Sequence, residues 1–346
     1  MDQTTIAITM GDPAGIGPEI VVNALAVKEL RNFCKPIVVG DPKIFLQTIE
    51  LLDSPLSINI VSSADDAAGD PSIIDIVPEG ELPNRRVQPG TLDSLWGESA
   101  AACCRRAVDM AKTGQVGAIV STPFNKEAFH MAGYMVLDDM TYFEQCYGLE
   151  NGAYMVGEIA GIWVTTVTFH IAFREIADQI STRAVLDKIR GLHQVMESVK
   201  ASPDRIGVAG LNVHAGEGGM FGREEIEKIE PAIKEAIAEG YDVVGPVPAD
   251  SIFPSALKGE YAGLVCMYHD QANIARKILG RDQPGVTIYL GMPNPVVTVP
   301  HGTAYDIAWK GVANYEMITR AIKTAAALAK KWNPTGKIES GQAAGL

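Results

Sequence analysis

Three histidines each follow an apolar stretch that is typical of a buried β-strand, and imidazoles placed in this way can bind a metal. His170, His214 and His269 follow residues 163–169, 206–213 and 264–267, respectively. Open α/β sheets carry their ligands outside the carboxyl ends of the strands. Imidazole nitrogens suit divalent transition metals. One such histidine would be ordinary, but three predict a divalent-metal site.

A lysine follows another short apolar strand, residues 118–120, at the end of the polar cluster 121–126. Lys126 is either a solvated surface lysine or a contact for a carboxylate or phosphate, since it comes directly after a buried strand. The acidic pair and threonine at residues 138–141 have a simpler explanation. They stand before a helical segment and are best read as its N-cap. His193 lies inside a periodic helix and is interpreted as a packing or surface residue.

A glycine-rich turn links the first strand, residues 5–10, to a helix over residues 20–30. Strand, glycine turn and helix form the layout that brings backbone N–H groups close to a ligand. Gly11, Gly15 and Gly17 do not have the G-x-G-x-x-G spacing, so a tight βα turn with no ligand is the alternative. A second glycine-rich segment, residues 215–222, would let backbone approach a ligand closely.

The elements that position these residues alternate between strand and helix along most of the chain. This alternation predicts an α/β fold with a mainly parallel sheet covered on both faces. A length of 346 residues predicts two domains or one large α/β unit.

Composition excludes several classes of protein. The net charge of −13 argues against nucleic acid or an anionic membrane as the main partner. No apolar run reaches the roughly 18 residues of a membrane span, and the start lacks the pattern of a signal peptide. Five cysteines without CxxC spacing indicate neither a disulfide framework nor a cysteine zinc site. We therefore expect a reduced, cytoplasmic protein.

Several of these clusters together resemble the 4-hydroxythreonine-4-phosphate dehydrogenase family. The matching segments are residues 8–20, 210–219, 268–271 and 301–304. They occur in the family's order, at near-family spacing, over residues 5–315. The wider relatives are the isocitrate and isopropylmalate dehydrogenases, and residues 301–314 are similar to their adenosine-binding loop.

The resemblance implies an isopropylmalate-dehydrogenase-like fold of two α/β/α domains with the active site in the interdomain and dimer cleft. Residues 1–125 with 296–346 would form the dinucleotide side, and 126–295 the metal, substrate and dimerisation side. It also implies a homodimer in which His269 comes from the partner subunit, while His170 and His214 are ligands of the same metal. NAD would be held without a classical Rossmann unit. The implied cofactor-binding residues are Gly11, Asp12, Gly15, Gly17, His301, Gly302, Thr303, Ala304 and Asp306.

The implied chemistry is hydride transfer from a secondary alcohol to the nicotinamide. A bound divalent ion lowers the pKa of the alcohol and stabilises the developing oxyanion. The product is a β-keto acid that can lose CO₂. Asp270 and Lys126 are the candidates for proton handling or carboxylate positioning. Zinc is the first candidate ion, with magnesium, manganese or cobalt as alternatives. Only Lys310 and Arg320 supply positive charge near the adenosine loop, which favours NAD over NADP.

The chain departs from the family where the substrate would bind. A His-Thr pair is replaced by Asp139-Met140 or, with a shift of one residue, by Met140-Thr141. The family's arginine falls on Val296 and its asparagine on Thr287. Only the lysine remains, as Lys277. Each lost charged hydrogen bond removes roughly 1.5–3 kcal/mol from phosphate binding.

Two substrates therefore remain open. The first is a non-phosphorylated compound such as a carboxylated cis-dihydrodiol of the terephthalate type, which Met140, Met220 and Val296 would suit. The second is a phosphorylated hydroxy acid, such as 4-(phosphooxy)-threonine or threonate or erythronate 4-phosphate, held by Arg276, Arg281 or Lys277. A metal-dependent hydrolase or lyase and a non-catalytic dimeric scaffold are the other classes. The segment 301–308, which has no evident role without a dinucleotide, argues against the hydrolase or lyase.

Overall fold

The computed structural model describes residues 3–82, 86–149, 152–279 and 285–332. The strands, in chain order, are β1 Thr5–Thr9, β2 Lys35–Gly40, β3 Ser57–Ile60, β4 Ile73–Pro78, β5 Ala118–Ser121, β6 Tyr154–Ile159, β7 Ile162–Thr166, β8 Ile206–Ala209, β9 Val243–Val247, β10 Gly263–Cys266, β11 Val286–Leu290 and β12 Val296–Thr298. The helices are α1 Gly17–Leu25, α2 Pro42–Leu51, α3 Ser94–Lys112, α4 Lys126–Met131, α5 Asp139–Tyr147, α6 Ile176–Gln179, α7 Thr182–Val199, α8 Glu230–Ala238, α9 Ala249–Leu257, α10 His269–Leu279 and α11 Glu316–Lys331. No helix in these ranges is long and apolar enough to cross a membrane.

The chain divides into two compact units whose bounds differ from the predicted domains. The first comprises Met1–Ala153 with Val286–Leu346, and the second comprises Tyr154–Gly285. The predicted boundary at residue 125 falls inside the first unit, because α4 packs directly on α3. A Cβ at Gly97 of α3 would lie 2.1 Å from the carbonyl oxygen of Ala128 in α4. Only a glycine allows this contact between the helices.

The first unit has a sheet with strand order β3-β4-β2-β1-β5-β12-β11. Its pairs are parallel except β11 with β12, which is antiparallel. Helices α1, α2 and α11 pack together, as do α3, α4 and α5, while α3 and α11 both lie against β1 and β5. Both faces of this sheet are therefore covered, which is why β1, β2 and β5 are almost entirely buried.

The second unit has the strand order β6-β7-β10-β8-β9, with β6 and β7 antiparallel and the other pairs parallel. Side chains alternate along β10. Leu264 and Cys266 join the cluster built with α9 and α10, whereas a Cβ at Gly263 would meet Met196 of α7. Helices thus cover both faces here as well. The predicted α/β class with mainly parallel sheets is confirmed.

Two local predictions were wrong and one helix was missed. The strand expected over residues 206–213 ends at Ala209, and the one expected to reach Phe169 ends at Thr166. Helix α10, which begins at His269, was not predicted. The early end of β8 has a physical cause, because the N–H groups of Leu211 and Asn212 donate to the side chain of Glu225 and leave the strand ladder.

Candidate active site

Two of the three histidines meet because strands β7 and β10 end side by side. Beyond those ends, Thr168 still donates to the Met267 carbonyl oxygen through its N–H at 3.1 Å and its hydroxyl at 2.9 Å. This pairing holds His170 beside His269, and their ring centroids lie 5.7 Å apart. With metal–nitrogen distances near 2.0–2.1 Å, such a separation fits two imidazoles on one ion.

Asp270 sets the orientation of one of these rings. Its Oδ1 lies 2.7 Å from Nδ1 of His269. An ionised carboxylate only accepts hydrogen bonds, so Nδ1 carries the proton and Nε2 keeps its lone pair for a ligand. Among the described residues, Asp270 thus contacts the imidazole of His269, and this is a positioning contact. Its predicted part in proton handling stays a prediction.

Gln271 ties together the loops that follow β10 and β8. Its Oε1 accepts from Met267 N at 2.6 Å, and its Nε2 donates to the Gly210 carbonyl oxygen at 2.9 Å. The sequence analysis included Gln271 in the matching segment 268–271 but gave it no role. A pocket of about 220 Å³ lies beside the imidazoles, with walls that include Phe169, Ile171, Phe173, Ile176 and Tyr268.

His214 stands apart from the other two histidines. Its side chain is 59% exposed, and its Nδ1 lies 3.0 Å from Oε1 of Glu217. Within the described ranges of this single chain, no three His, Cys, Asp or Glu residues lie close enough to hold one ion. The structure thus brings together two of the three predicted ligands, His170 and His269 of one chain. This differs from the arrangement that the resemblance implied, in which His269 of the partner subunit joins His170 and His214. The donor set still fits a divalent metal, since a carboxylate faces Nδ1 of both His214 and His269 and leaves each Nε2 free.

The two basic residues of α10 have different surroundings. Lys277 is exposed, so its amine is accessible to an anion. Arg276 is largely buried, and burial lowers the pKa of its guanidinium. A Cβ at Gly157 would lie 2.1 Å from Arg276 Nη2, and Nη1 donates to Asn273 at 2.9 Å. Arg276 therefore packs inside the second unit and is poorly placed to bind a phosphate. Arg281 lies outside the described residues.

The glycine-rich turn is held by the protein itself. Its N–H groups are already engaged: Ala14 N donates to Asp12 Oδ1 at 2.8 Å, Gly15 N to the Asp12 carbonyl at 3.1 Å and Ile16 N to the Thr303 carbonyl at 3.0 Å. This favours the tight βα turn over a cradle of free N–H groups.

The glycines of this turn permit close packing. A Cβ would lie 2.3 Å from Thr122 Oγ1 at Gly11, 2.9 Å from Thr303 Cβ at Gly15 and 2.5 Å from the Met10 carbonyl at Gly17. Gly11 also has φ +72°, which a residue with a Cβ rarely adopts. These three predicted cofactor residues therefore shape the turn.

Segment 301–311 is fastened to this turn by two buried carboxylates. Asp12 Oδ2 accepts from the Tyr305 hydroxyl at 2.5 Å. Glu19, which has no exposed surface, accepts from the N–H groups of Trp309 and Gly311, the latter at 2.7 Å. The Trp309 indole donates to the Pro13 carbonyl at 3.0 Å. The sequence did not single out Glu19, Tyr305 or Trp309, although an acidic residue amid an apolar helix start was a usable signal.

Most of the predicted cofactor residues of this segment are accessible, whereas Thr303 is buried at 9% exposure. Gly302 and Asp306 are exposed, and His301 and Ala304 are partly exposed. A Cβ at Gly302 would meet open space. Burial lowers the pKa of the His301 imidazole. Burial also raises the pKa of Asp12 to about 6, which shows that its charge is costly inside the first unit.

Asp139 is not the residue that caps helix α5. Asp138 is the N-cap of α5, and its Oδ1 accepts from both the N–H and the hydroxyl of Thr141 at 2.9 Å. Burial raises the pKa of Asp139 to about 6, while the nearby positive charge of Lys126 lowers it. Lys126 is exposed at the first position of α4. An acid and a base of opposite charge are thus neighbours where the sequence predicted substrate contacts.

The remaining predicted substrate contacts are less accessible. Val296 has no exposed surface and Thr287 is 5% exposed. Both belong to the antiparallel pair β11–β12, so neither side chain is open to a ligand in this structure. Met140 and Thr141 are partly exposed, and the Thr141 hydroxyl is occupied by the cap. The valine removes the donor that the resemblance implied at position 296.

Replacing Asp138 with alanine is expected to cost about 1 kcal/mol of unfolding free energy, because α5 loses its side-chain cap. Urea denaturation would measure it. Asp139→Ala is the matched control, and above pH 6 it should not lose stability, since burial disfavours its charged form. Equal losses for the two variants would contradict the assignment of Asp138 as the cap.

Comparison with known proteins gives one consistent answer. The family profile described as "Pyridoxal phosphate biosynthetic protein PdxA" matches residues 32–325. A "Putative D-threonate 4-phosphate dehydrogenase" of Clostridium botulinum is 36% identical over 332 residues, which is 96% of this chain and 98% of that protein. A "Putative 4-hydroxythreonine-4-phosphate dehydrogenase 2" of Rhizobium meliloti is 37% identical over 327 residues, which is 94% of this chain and 93% of that protein.

Two solved structures are also similar. The 4-hydroxythreonine-4-phosphate dehydrogenase from Burkholderia phymatum has a TM-score of 0.80 at 34% identity, covering 95% of this chain and 99% of that chain. A terephthalate 1,2-cis-dihydrodiol dehydrogenase from Burkholderia xenovorans has a TM-score of 0.70 at 27% identity, covering 94% of this chain and 98% of that chain.

Proposed function

Because this chain belongs to the PdxA family and is an oxidoreductase of the dehydrogenase type, we propose that it uses NAD and a divalent metal ion. The proposed reaction oxidises a secondary alcohol β to a carboxylate and releases CO₂. The observation that carries the proposal is the pair His170 and His269, 5.7 Å apart, with Asp270 on Nδ1 of one ring. Two imidazoles at this separation supply two of the three protein ligands of a typical catalytic metal site with open positions.

The chain's own groups account for binding and orientation. His170 and His269 would hold the ion, with zinc as the first candidate, and Asp270 keeps Nε2 of His269 directed to it. A bound divalent ion supplies Lewis-acid stabilisation of the developing oxyanion. The exposed Lys126 amine is suited to hold a substrate carboxylate. Gly302, Thr303 and Ala304 would hold NAD, which would supply the hydride acceptor for the alcohol carbon. The hydroxyl proton would pass to a base, and the β-keto acid so formed could lose CO₂.

NAD is favoured over NADP by the surroundings of segment 301–311. A 2′-phosphate needs free positive charge near the adenosine. Lys310 is the lysine of this segment, and its amine already donates to the Asp306 carbonyl at 2.7 Å. The two carboxylates that fasten the segment, Asp12 and Glu19, add negative charge to the same region. The predicted contacts of NAD with Gly302, Thr303 and Ala304 remain part of this proposal.

The substrate proposed first carries a carboxylate but no phosphate. A phosphate dianion needs several charge-assisted donors. At the positions where the resemblance implied phosphate donors, this chain has a buried valine at 296 and a carboxyl at 139. Its Arg276 packs inside the second unit. The aromatic walls of the pocket beside the imidazoles suit a flat ring. A carboxylated cis-dihydrodiol has these properties.

A phosphorylated hydroxy acid is the second candidate. It is favoured by the names of the relatives that are 36–37% identical to this chain, which are 4-phosphate dehydrogenases, and by the exposed amine of Lys277. The test is one panel of 4-(phosphooxy)-threonine, threonate 4-phosphate and a carboxylated cis-dihydrodiol, followed by NADH absorbance. Turnover of the dihydrodiol alone supports the first candidate. Efficient turnover of a phosphorylated acid overturns it and leaves the dehydrogenase assignment standing.

The same proposal includes a homodimer. The second unit has large apolar side chains exposed to water, and such exposure is unfavourable. The exposed fractions are 77% for Phe173, 73% for Met220, 71% for Ile278 and 64% for Val213. Two of them flank His214, whose two candidate fellow ligands lie elsewhere in the chain. A second chain that covers these side chains could also complete the metal site. Light scattering should then give twice 37.0 kDa.

Replacing Lys126 with alanine is expected to reduce kcat/KM by roughly 10- to 150-fold, the kinetic equivalent of one charged hydrogen bond of about 1.5–3 kcal/mol. Steady-state kinetics would measure it. Lys112→Ala is the control, since Lys112 is the exposed last residue of α3 and its amine donates to the Cys146 carbonyl of α5. An unchanged kcat/KM for Lys126→Ala would remove Lys126 from the site.

A further inference from the structure

The loop that carries His214 has a backbone conformation that L-residues rarely adopt. Residues 214–219 all have positive φ, including 51° at His214, 54° at Ala215 and 43° at Glu217. Each non-glycine residue in the left-handed region costs free energy, and such runs persist only where their surroundings hold them. Residues packed against this loop must therefore hold it in this conformation.

The side chain beneath the loop is Glu225, which is only 2% exposed. Its Oε1 accepts from the N–H groups of Leu211 and Asn212 at 2.8 and 2.7 Å. Its Oε2 accepts from Asn212 Nδ2 at 2.9 Å. A Cβ at Gly216 would lie 2.7 Å from the same Oε2. One buried carboxylate thus anchors the start of the loop and packs against its middle.

The left-handed turn brings Glu217 back onto His214. Oε1 of Glu217 lies 3.0 Å from Nδ1 of His214, and a carboxylate there makes Nδ1 the donor. Nε2 of His214 is then left with its lone pair, the form in which imidazole binds a metal. This orientation depends on the backbone between residues 214 and 217, and that backbone rests on Glu225.

We propose that Glu225 is a positioning residue for His214, which it serves by holding the left-handed loop in the conformation that presents Nε2 to a divalent ion. The inference rests on the proposed function, in which His214 is a metal ligand. Glu225 does not touch the ion or substrate itself. A carboxylate is needed because both of its oxygens face donors.

The substitution Glu225→Gln tests this requirement. A glutamine amide nitrogen would face either the two backbone N–H groups or the Asn212 amide, and a donor opposite a donor is unfavourable. We expect Co²⁺ affinity, measured by chelator competition, to fall by about 10- to 100-fold, with a changed visible spectrum of the bound Co²⁺. Glu224→Gln is the matched control. Glu224 bonds the same Asn212 side chain at 2.7 Å, and its substitution should leave Co²⁺ affinity within about twofold.

A double-mutant cycle separates positioning from a general loss of structure. In a His214→Ala background, Glu225→Gln should weaken Co²⁺ binding no further, because the ligand it positions is absent. Additive losses, or equal Co²⁺ affinity of Glu225→Gln and the wild type, would overturn the inference. If Glu225→Gln does not fold, Gly216→Ala presses on the same oxygen and should weaken Co²⁺ binding, and wild-type affinity there would also overturn it. A wild type that binds no divalent ion would instead overturn the proposed function.

Discussion

Replacing either His170 or His269 with alanine is expected to reduce kcat/KM by about a thousandfold or more and to remove the bound metal. The two rings lie 5.7 Å apart, so the loss of one leaves a single imidazole at this position. A metal supplies several kcal/mol of transition-state stabilisation in this chemistry, and about 4 kcal/mol corresponds to a thousandfold in rate. Steady-state kinetics with elemental analysis of the purified variants would measure both effects.

The chain offers a matched control in the same unit. His193 lies on α7 and packs against Tyr241 with ring centroids 4.7 Å apart, which fits its predicted role as a packing histidine. His193→Ala should keep its metal content and its kcat/KM. Full turnover and full metal content in His269→Ala would contradict the proposed site.

A mixing experiment tests whether two chains share one metal site. His269→Ala and His214→Ala should each be inactive alone. If His214 of one chain serves the same ion as His269 of the other, a mixed dimer contains one intact site, and activity returns on mixing and re-association. If all three histidines of one chain bind one ion, no intact site forms and mixing restores nothing.

Much of the fold was predictable because its signals are local and repeated. Apolar stretches of about five residues, each followed by a helix-length segment, gave the α/β class and the mainly parallel sheets. The antiparallel pairs β6–β7 and β11–β12 were missed. Their sequences are as apolar as parallel strands, and strand direction depends on which neighbour each strand finds.

The candidate site was predictable in its residue types but less so in its geometry. The repeated position of His170 and His269 at strand ends was a sound guide, since parallel neighbours end at the same edge. The same rule failed for His214. Glu225 draws Leu211 and Asn212 out of the strand ladder, and a contact between residues more than ten positions apart leaves no periodic signal in the sequence.

Replacing Asp12 with asparagine is expected to stabilise the protein at neutral pH by up to about 3 kcal/mol. Asp12 is 1% exposed, and burial raises its pKa from 3.8 to about 6, a rise equivalent to roughly 3 kcal/mol. A carboxyl group whose pKa is raised in the folded state contributes stability below its unfolded pKa and loses it as pH rises through the folded pKa. Wild-type stability should therefore fall between about pH 4 and pH 7.

An asparagine keeps contact with both partners of Asp12 without the charge. Its oxygen can accept from Ala14 N, and its amide can donate to the Tyr305 hydroxyl oxygen, although the hydroxyl proton then loses Asp12 as its acceptor. Urea unfolding from pH 4.5 to 8 would measure the unfolding free energies of the wild type and Asp12→Asn. The two values should be equal at the acid end and differ above pH 6.

The activity of the same variant decides what the costly carboxylate is for. A protein retains a destabilising charge where function requires it. If Asp12 shapes the dinucleotide site through Tyr305, Asp12→Asn should be more stable and have a higher KM for NAD. A variant with greater stability and unchanged kinetics would make Asp12 a packing residue of the turn. A variant whose stability does not separate from that of the wild type above pH 6 would contradict the burial argument itself.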